Sequence, residues 1–384
     1  MMKVAFYAPI KPPDHHIPSG DRLIARNLVS ALEVAGHEVE LASRFIAYSK
    51  RADEAILAER KKDALTEAEL VTDHLTTAPP DCWITYHPYC KAPDWIGPFV
   101  CGCLKIPYIT VEAARTGQGF ENGSDLWKDW RAEAQAGIRA ADLHLSFKPA
   151  DRGYLHSLGI DNTHIRMIPP FINMDELNFN AGQGGFSAQM GRINTPKHWR
   201  SDWPVLMTAG MMRPGKKVEN YRLIAEAVTG LRALQWNFVV VGGGPEEENT
   251  QNFFKDIDPN RMYFSGAVDH PAVLSWMKAS DIFVWPGWKE PIGMVYLEAQ
   301  LCGLPVCALD SMGVSLTVRH GKTGLLSPEN NPGRFRDNLA ELISHPDLRR
   351  DLAAAAPKHV AKNHSLSTAS AAIDAALRHR LGLA

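Results

Sequence analysis

The chain has 384 residues, more than one hydrophobic core usually organises, and this length favours two domains. Lysine and arginine total 41 against 43 aspartate and glutamate residues, and this near-neutral balance argues against a nucleic-acid-binding surface. No run of about 18 apolar residues occurs, and the sequence enters a strand pattern without a signal peptide, so a cytoplasmic location is the simplest expectation.

The first half of the chain alternates predicted strands and helices. Apolar runs predict strands at residues 3–8, 37–42, 81–86, 106–111, 142–147 and 165–168. Apolar residues at helical spacing predict a helix from about Gly20 to Gly36, and further helices are predicted over 48–75, 95–104 and 125–140. The alternation predicts a doubly wound α/β domain over residues 1–177.

Ligands of doubly wound sheets bind where the parallel strands end. His87 and Glu112 each follow a predicted strand, so both are candidate ligand-binding groups at that edge. Gly20 opens the first helix and lets the backbone approach a ligand closely. The glycine pattern there is not G-x-G-x-x-G, so a dinucleotide fingerprint is absent.

Lys61 and Lys62 lie in the charged helix predicted over 48–75, which we expect to be exposed. Short charge runs usually form a solvated helix face, and a weak contact with anionic lipid is the alternative.

Residues 178–203 are poor in periodic apolar residues and rich in glycine and asparagine, which predicts a linker. A second strand and helix series is predicted over 204–365, with strands at 205–208, 237–241, 262–264 and 281–285. Helices are expected at 219–234, 332–344 and 346–362. A last helix is expected within 366–384.

The stretch from Lys289 to Val306 predicts a loop, a helix and a strand. Pro291 suits a first helical turn, so the helix is predicted to begin near Ile292. Glu290 precedes this helix and Glu298 lies on it, so two carboxylates flank a helix N-terminus, which favours anions such as phosphate. Alone, this spacing more often reflects two unrelated acids, and its meaning depends on its context.

That context is a loop rich in positive charge from Gly210 to Lys217, which includes Arg213, and glycines at 243, 244 and 266 that follow or end predicted strands. These motifs, followed by Glu-Pro-Ile-Gly-Met-Val-Tyr-Leu-Glu-Ala-Gln-Leu-Cys-Gly-Leu-Pro-Val, resemble the donor half of the retaining GT-B glycosyltransferases, family 4. The resemblance is close over residues 205–330 and architectural in the N-terminal half.

The resemblance implies an α/β fold with two Rossmann-like domains facing a central cleft, an acceptor-side domain over 1–177 and a donor-binding domain over 204–365. It also implies that the C-terminal helix within 366–384 crosses back to the N-terminal domain. It implies a retaining, metal-independent transfer of a sugar from a UDP- or GDP-linked donor, without a bound cofactor. The acceptor would be a carbohydrate or a lipid-linked hydroxyl in bacterial polysaccharide, lipopolysaccharide or glycolipid synthesis. Such an enzyme would act in the cytoplasm, including the inner face of the membrane.

The resemblance also implies roles by position. Arg213 and Lys217 would neutralise the departing diphosphate and Glu290 would bind sugar hydroxyls, and these three are the implied catalytic residues. Glu298 would hold the ribose. The further donor-binding positions implied are Gly20, Gly243, Gly244, Gly266, Ile292, Gly293 and Met294. His87 and Glu112 are the acceptor-side candidates, and which of them touches the acceptor is left open.

Three positions depart from the family pattern. Met211 stands where the family usually has arginine, which leaves open whether Arg213 takes that role from two residues later. Gly287 replaces a common serine, a change we interpret as minor, and Glu112 stands where a histidine is frequent. The rival interpretations are a nucleotide-sugar epimerase, a sugar phosphorylase, or a scaffold that binds nucleotide sugars without catalysis.

Overall fold

The computed structural model describes residues 1–17, 19–113, 127–174 and 196–383, so residues 178–195 of the predicted linker lie outside the described residues. The chain divides into two compact units. The first comprises Met1–Pro169 and Leu366–Ala384, and the second comprises Pro170–Ser365.

The first unit is built on a sheet of parallel strands. The strands are β1 (Lys3–Tyr7), β2 (Glu38–Ser43), β3 (Cys82–Tyr86), β4 (Tyr108–Val111), β5 (Leu143–Ser146) and β6 (Ile165–Met167). The helices that alternate with them are α1 (Gly20–Val34), α2 (Glu54–Thr76), α3 (Ile96–Leu104), α4 (Lys128–Arg139) and α5 (Pro149–Ser157). The spatial order is β2-β1-β3-β4-β5-β6, so the direction of winding reverses between β1 and β3.

Strands β3 and β4 are buried on both faces, which explains their largely apolar, uncharged sequences. Helix α2 begins after Asp53, whose side chain accepts hydrogen bonds from two backbone N–H groups of the first turn. The expectation that this charged helix is exposed is wrong on one face, because a stripe of small and aliphatic side chains packs into the core. The buried residues of that stripe are Leu57, Ala64, Ala68, Val71 and Leu75.

We expect His144 on β5 to make the free energy of unfolding of the first unit depend on pH. Its side chain is fully buried, and its Nδ1 lies 2.7 Å from the Thr110 hydroxyl. Burial lowers the pKa of His144 to about 4, below the ordinary value near 6.5. Between pH 6.5 and about 4, the unfolded chain therefore binds a proton at His144 that the folded chain does not bind. The free energy of unfolding falls by about 3 kcal/mol as the pH falls through this range.

We expect a His144→Asn variant, whose amide can still meet Thr110, to lack this loss. At pH 7 the variant is expected to be less stable than the parent, and the gap should narrow by about 3 kcal/mol by pH 4. Urea unfolding of both proteins at pH 7, 5.5 and 4 measures the gap. A gap that stays constant with pH would show that His144 does not cause the acid sensitivity.

The second unit repeats the architecture. Its strands are β7 (Val205–Ala209), β8 (Asn237–Val241), β9 (Met262–Gly266), β10 (Ile282–Val284), β11 (Val306–Asp310) and β12 (Gly324–Pro328). Its helices are α6 (Lys216–Thr229), α7 (Glu247–Asn252), α8 (His270–Lys278), α9 (Met294–Leu301), α10 (Pro332–Ser344) and α11 (Pro346–Asn363).

All strands of this second sheet are parallel, in the order β12-β11-β10-β7-β8-β9. The core beneath them is rich in aromatic side chains, among which Trp236, Phe238, Phe283 and Trp285 are fully buried. The predicted α/β class is confirmed, since both units hold a six-stranded parallel sheet with helices between most successive strands.

A final helix, α12 (Leu366–Leu381), belongs to the first unit, where it packs against α1. Asp374 on this helix lies 3.0 Å from Nε2 of His37, whose side chain is fully buried. The first unit is thus made from two separate parts of the sequence. Among the described residues, no helix combines the length and the apolar character needed to span a bilayer.

Candidate functional site

The carboxyl ends of β7 and β10 lie side by side in the second sheet, where the strand order reverses. In open parallel sheets this switch point forms a crevice in which ligands bind. The loop after β7 covers residues 210–215, and the loop after β10 covers residues 285–293. These loops and the helices that follow them carry most of the residues predicted for the donor.

Helix α6 begins at Lys216, so the prediction that Lys216 and Lys217 belong to a loop is wrong. Gly215 precedes the helix with a φ of +85°, which favours glycine. The two lysines therefore stand on the first helical turn, where N–H groups lack acceptors within the helix and the positive end of the dipole lies. The helix start and the lysines together make this end of α6 attractive to an anion.

Lys217 forms an ion pair with Glu290 across the switch point. Its Nζ lies 2.9 Å from Oε2 of Glu290 and 4.9 Å from the centre of the Trp285 ring. The two side chains are 30% and 19% exposed, so the pair is accessible but partly shielded from water. Below it, the Asn220 side chain accepts a hydrogen bond of 2.8 Å from the Trp288 N–H and ties α6 to the β10 loop. The fold thus brings together two of the three predicted catalytic residues.

Arg213 lies in the exposed part of the β7 loop, four residues before Lys217. Its backbone N–H donates to the Met211 carbonyl at 3.2 Å, and Met211 is itself 53% exposed. The loop therefore presents the arginine charge at the same sheet edge, two residues beyond the position that the family resemblance implies.

The loop after β10 ends in a tight turn that delays the next helix. Gly293 adopts a φ of +74°, and α9 begins at Met294, so the prediction of a start near Ile292 is wrong by two residues. Ile292 is buried and anchors the turn. The predicted N–H donors near residue 294 therefore belong to the turn and the first helical residue, at the end of α9 that faces the carboxyl edge of the sheet.

The surroundings of Gly287 leave little room for a side chain, whereas the interpretation of the missing serine as minor for donor binding stays a prediction. Its φ is +70°, and a Cβ atom at this position would lie 2.1 Å from the Tyr296 hydroxyl. That hydroxyl donates to the Trp285 carbonyl at 3.1 Å, which holds it in place. The glycine allows Tyr296 to support the loop that carries Glu290.

We expect Gly287→Ser to lower the free energy of unfolding by roughly 2–4 kcal/mol, from the clash and the unfavourable φ. Gly303→Ser is the matched control, because Gly303 has a φ of +79° but its nearest contact is 3.9 Å away. Adding Tyr296→Phe to Gly287→Ser should restore part of the loss. Equal urea midpoints for the two serine variants would contradict a clash at position 287.

Glu298 lies on α9 with 10% of its side chain exposed, and its Oε1 is 3.0 Å from Nε2 of His270. His270 is the first residue of α8, and 48% of its side chain is exposed. The hydrogen bond with Glu298 raises the pKa of His270 above its ordinary value, although burial opposes this. The predicted ribose-binding acid is thus held by a residue that the sequence reasoning missed.

The glycines after β8 pack directly on the backbone of the β7 loop. Gly244 has a φ of +152°, and a Cβ there would lie 2.3 Å from the Met212 carbonyl oxygen. Met212 donates its N–H to the Gly243 carbonyl, and Gly242 donates to the Gly266 carbonyl, both at 3.0 Å. These contacts give the glycines a role in shaping the β7 loop, and their contact with a donor stays a prediction.

In the first unit, His87 follows β3 at the switch point of its sheet. Its φ is +59°, which is uncommon for a residue with a side chain. Nδ1 lies 3.1 Å from Oδ1 of Asp21, on the first turn of α1. Burial alone would lower the pKa of His87, but the charge of Glu112 and the hydrogen bond with Asp21 outweigh it and raise the pKa. His87 therefore keeps a proton to a higher pH than an ordinary histidine does.

Glu112 follows β4 with a φ of +54° and is the centre of a buried charged cluster. Lys148 donates to its Oε1 at 2.8 Å, and the Tyr86 hydroxyl donates to its Oε2 at 3.2 Å. Lys148 also lies 3.4 Å from Asp151. Burial raises the pKa of Asp151 to about 6, against the lowering effect of Lys148. This acid–lysine–acid cluster is defined here by Glu112, Lys148 and Asp151.

Gly20 is the first residue of α1, and the preceding Ser19 hydroxyl accepts a hydrogen bond of 3.2 Å from the Arg22 N–H. A Cβ at Gly20 would have no heavy atom within 4 Å. The local packing of the first unit therefore does not demand glycine, and its role in close approach to the donor stays a prediction.

Sequence reasoning missed Asp21, Lys148, Asp151 and His270. Lys148 had a usable signal, since it follows a predicted strand exactly as His87 and Glu112 do, and Pro149 after it marks a helix start. His270 had a weaker one, because it lies shortly after a glycine-ended strand at the same edge as the other donor candidates.

Residues 199–359 match the family model described as glycosyl transferases group 1, which confirms the resemblance seen in the sequence. The D-inositol 3-phosphate glycosyltransferase of Jonesia denitrificans is 30% identical over 165 residues, which cover 40% of this chain and 38% of that protein. The protein of the same description from Streptomyces scabiei is 27% identical over 245 residues, 61% of this chain and 53% of its own length. The matched part thus spans about half of these relatives or less.

Solved structures match over nearly the whole chain. The sucrose-phosphate synthase of Thermosynechococcus elongatus has a TM-score of 0.73 at 17% identity, with 100% of both chains covered. Anabaena HepE in complex with UDP-glucose has a TM-score of 0.67 at 17% identity, with 99% of this chain and 100% of that chain covered. The fold is therefore that of the GT-B glycosyltransferases.

Proposed function

Residues 199–359 match the group 1 glycosyl transferases, and on this premise we propose that the protein transfers a sugar from a nucleotide-diphosphate sugar to a hydroxyl acceptor. The observation that carries the proposal is the Lys217–Glu290 pair, 2.9 Å apart, beside two helix starts at the switch point of the second sheet. A cation for phosphate and a carboxylate for sugar hydroxyls are the two groups that such a donor requires there.

In this proposal Lys217 and Arg213 neutralise the diphosphate as it leaves, and Glu290 accepts hydrogen bonds from hydroxyls of the transferred sugar. The turn that ends at Met294 offers backbone N–H groups to the phosphates. Glu298 accepts from the ribose hydroxyls. The second unit alone supplies these groups, and they lie on loops and helices at the carboxyl edge of one sheet.

We propose a retaining reaction on one face of the sugar, as in the family that the sequence resembles. The bond between the anomeric carbon and the diphosphate oxygen breaks, and the acceptor oxygen bonds to the same carbon. The proton of the acceptor hydroxyl passes to the leaving diphosphate. No protein nucleophile is needed, and the protein's contribution is orientation and stabilisation of the diphosphate charge.

We propose that the two cations, and not a metal, stabilise the diphosphate. The chain contains one Asp-x-Asp pattern, Asp256-Ile257-Asp258, but it precedes β9 and so lies towards the amino edge of the sheet, away from the switch-point loops. Asp258 there accepts a hydrogen bond of 2.9 Å from the Asn260 N–H and caps a short turn. Activity that survives EDTA would support this part, and loss restored by manganese would oppose it.

For the acceptor we propose the carboxyl edge of the first sheet, with His87 and the acid–lysine–acid cluster as its polar groups. Carboxylates and a lysine can hold several hydroxyls of a carbohydrate. The acceptor class is a carbohydrate or a lipid-linked sugar in bacterial polysaccharide, lipopolysaccharide or glycolipid synthesis, in the cytoplasm. Contact with the inner face of the membrane is part of the proposal, although Lys61 is paired with Glu133 at 2.8 Å.

Calorimetry with UDP, GDP and a panel of their sugar conjugates tests the proposal and identifies the base. Binding of one nucleoside diphosphate, together with slow release of sugar from its conjugate, is expected. Binding without turnover under any acceptor would favour the scaffold interpretation. Conversion of the sugar while it stays on the nucleotide would indicate an epimerase, and phosphorolysis of a glycoside would indicate a phosphorylase.

A further inference from the structure

His270 forms a hydrogen bond with one oxygen of the Glu298 carboxylate, the buried group proposed to bind the ribose. Nε2 of His270 lies 3.0 Å from Oε1 of Glu298. The two residues come from different helices, α8 and α9, which pack against each other. No other hydrogen bond to the Glu298 carboxylate occurs in the described part of the chain. Oε2 is therefore the oxygen left for another donor.

This bond restricts the glutamate. A glutamate side chain has several rotatable bonds, and a carboxylate that accepts one directed N–H bond keeps far fewer orientations. The same hydrogen bond raises the pKa of His270, although burial opposes this. The donor nitrogen comes from a side chain that is half exposed, so the pair lies at the boundary between core and solvent. A ligand can reach it there without opening the core.

We infer that His270 is a positioning residue of the nucleotide site: it holds Glu298 by one oxygen so that the other faces the ribose hydroxyls. This inference rests on the proposed function, because it assumes that a nucleotide occupies the second unit. It adds a residue for which the family resemblance implied no role.

The place of His270 in the fold supports this role. It begins α8 directly after the β9 loop, at the carboxyl edge where the switch-point loops also lie. Asp269 caps the same helix by accepting from the Ala272 N–H at 2.9 Å, which fixes the backbone that carries the histidine. The carboxyl groups facing His270 are thus Glu298, in contact, and Asp269, its neighbour.

A thermodynamic cycle between protein and ligand tests the inference. The dissociation constants of UDP and 2′-deoxy-UDP, and of GDP and 2′-deoxy-GDP, are measured for the parent, His270→Ala, His270→Gln and Glu298→Gln. For the nucleotide that binds, the parent protein is expected to bind the 2′-deoxy form about 10 to 100 times more weakly than the ribose form. This is the effect expected from losing a hydrogen bond to a charged acceptor. In His270→Ala this ribose-to-deoxyribose ratio should fall at least threefold.

His270→Gln keeps an N–H donor and should retain most of the ratio, and adding His270→Ala to Glu298→Gln should change the ratio no further. If His270 only stabilised the fold, His270→Ala would weaken the binding of ribose and deoxyribose ligands equally and leave the ratio unchanged. His198→Ala, at an exposed histidine of the same unit, is the control. A ratio in His270→Ala that equals or exceeds the parent's overturns the inference alone, whereas a parent that binds neither UDP nor GDP removes the proposed donor site with it.

Discussion

Glu290→Gln and Lys217→Ala are each expected to reduce sugar transfer severely while leaving the fold intact. Lys217→Ala removes a cation that stabilises developing diphosphate charge, and such groups contribute roughly 100- to 1,000-fold in turnover. Glu290→Gln keeps the shape of the side chain but weakens its hydrogen bonds to the sugar, for about 10- to 100-fold. Initial rates with the sugar nucleotide found by calorimetry measure both losses.

The two variants should also differ in what they bind. Lys217→Ala is expected to weaken binding of the nucleoside diphosphate itself. Glu290→Gln should mainly weaken binding of the nucleotide that carries the sugar. Lys255→Ala and Glu248→Gln change exposed residues of the same unit and serve as matched controls. Near-parental turnover in either site variant would remove that residue from the proposed catalytic set.

Lys148→Met is expected to destabilise the first unit by about 3–5 kcal/mol, because it leaves Glu112 and Asp151 buried without their cation. The side chains of all three are at most 10% exposed. Urea unfolding measures the loss, and the double variant Lys148→Met with Glu112→Gln should regain much of it by removing the uncompensated charge. Lys61→Met breaks a more exposed pair with Glu133 and is expected to matter by less than about 1 kcal/mol.

The same variants also distinguish an effect on acceptor binding from an effect on donor binding. The double variant should bind the nucleoside diphosphate like the parent, since the donor groups lie in the second unit, but transfer to the acceptor should drop. If the double variant is as unstable as the single one, charge compensation is not what Lys148 provides. If it is stable and transfers normally, the cluster is structural and the acceptor lies elsewhere.

Much of the fold was predictable because buried parallel strands leave a direct trace in the sequence. Residues 82–86 and 205–209 are apolar or uncharged throughout, and both segments are strands buried on both faces. The helices α5, α7 and α8 escaped prediction; they are six to nine residues long, and they are less apolar than α3 and α9, which are similarly short. Such segments are too short to show a clear helical period.

The boundaries at the site were harder, for a physical reason. Pro291 suggested an early helix start, but Gly293 has a positive φ and the helix begins only at Met294. Before α6, the positively charged loop was predicted to run to Lys217, while the helix in fact begins directly after Gly215. In both cases the φ angle of a glycine sets where the helix begins, and the neighbouring residues in the sequence do not predict that angle.

Partnerships between distant residues were beyond the sequence altogether. Glu112 and Lys148 are 36 positions apart, and His270 and Glu298 are 28 apart. Their contacts depend on which strands are neighbours and on how helices pack over the sheet. Sequence could name Glu112 and Glu298 as important acids, but only the fold supplies the cation or histidine that each one meets.

The docking of α12 on α1 has a consequence for how the chain folds during synthesis. The second unit, residues 170–365, is continuous and can fold as soon as it has left the ribosome, whereas the first unit still lacks a helix at that moment. Until Leu366–Leu381 has been made, the surface of α1 that this helix covers and the His37 side chain that meets Asp374 stay unprotected. Of the two units, the one whose translation begins first is therefore the one completed last.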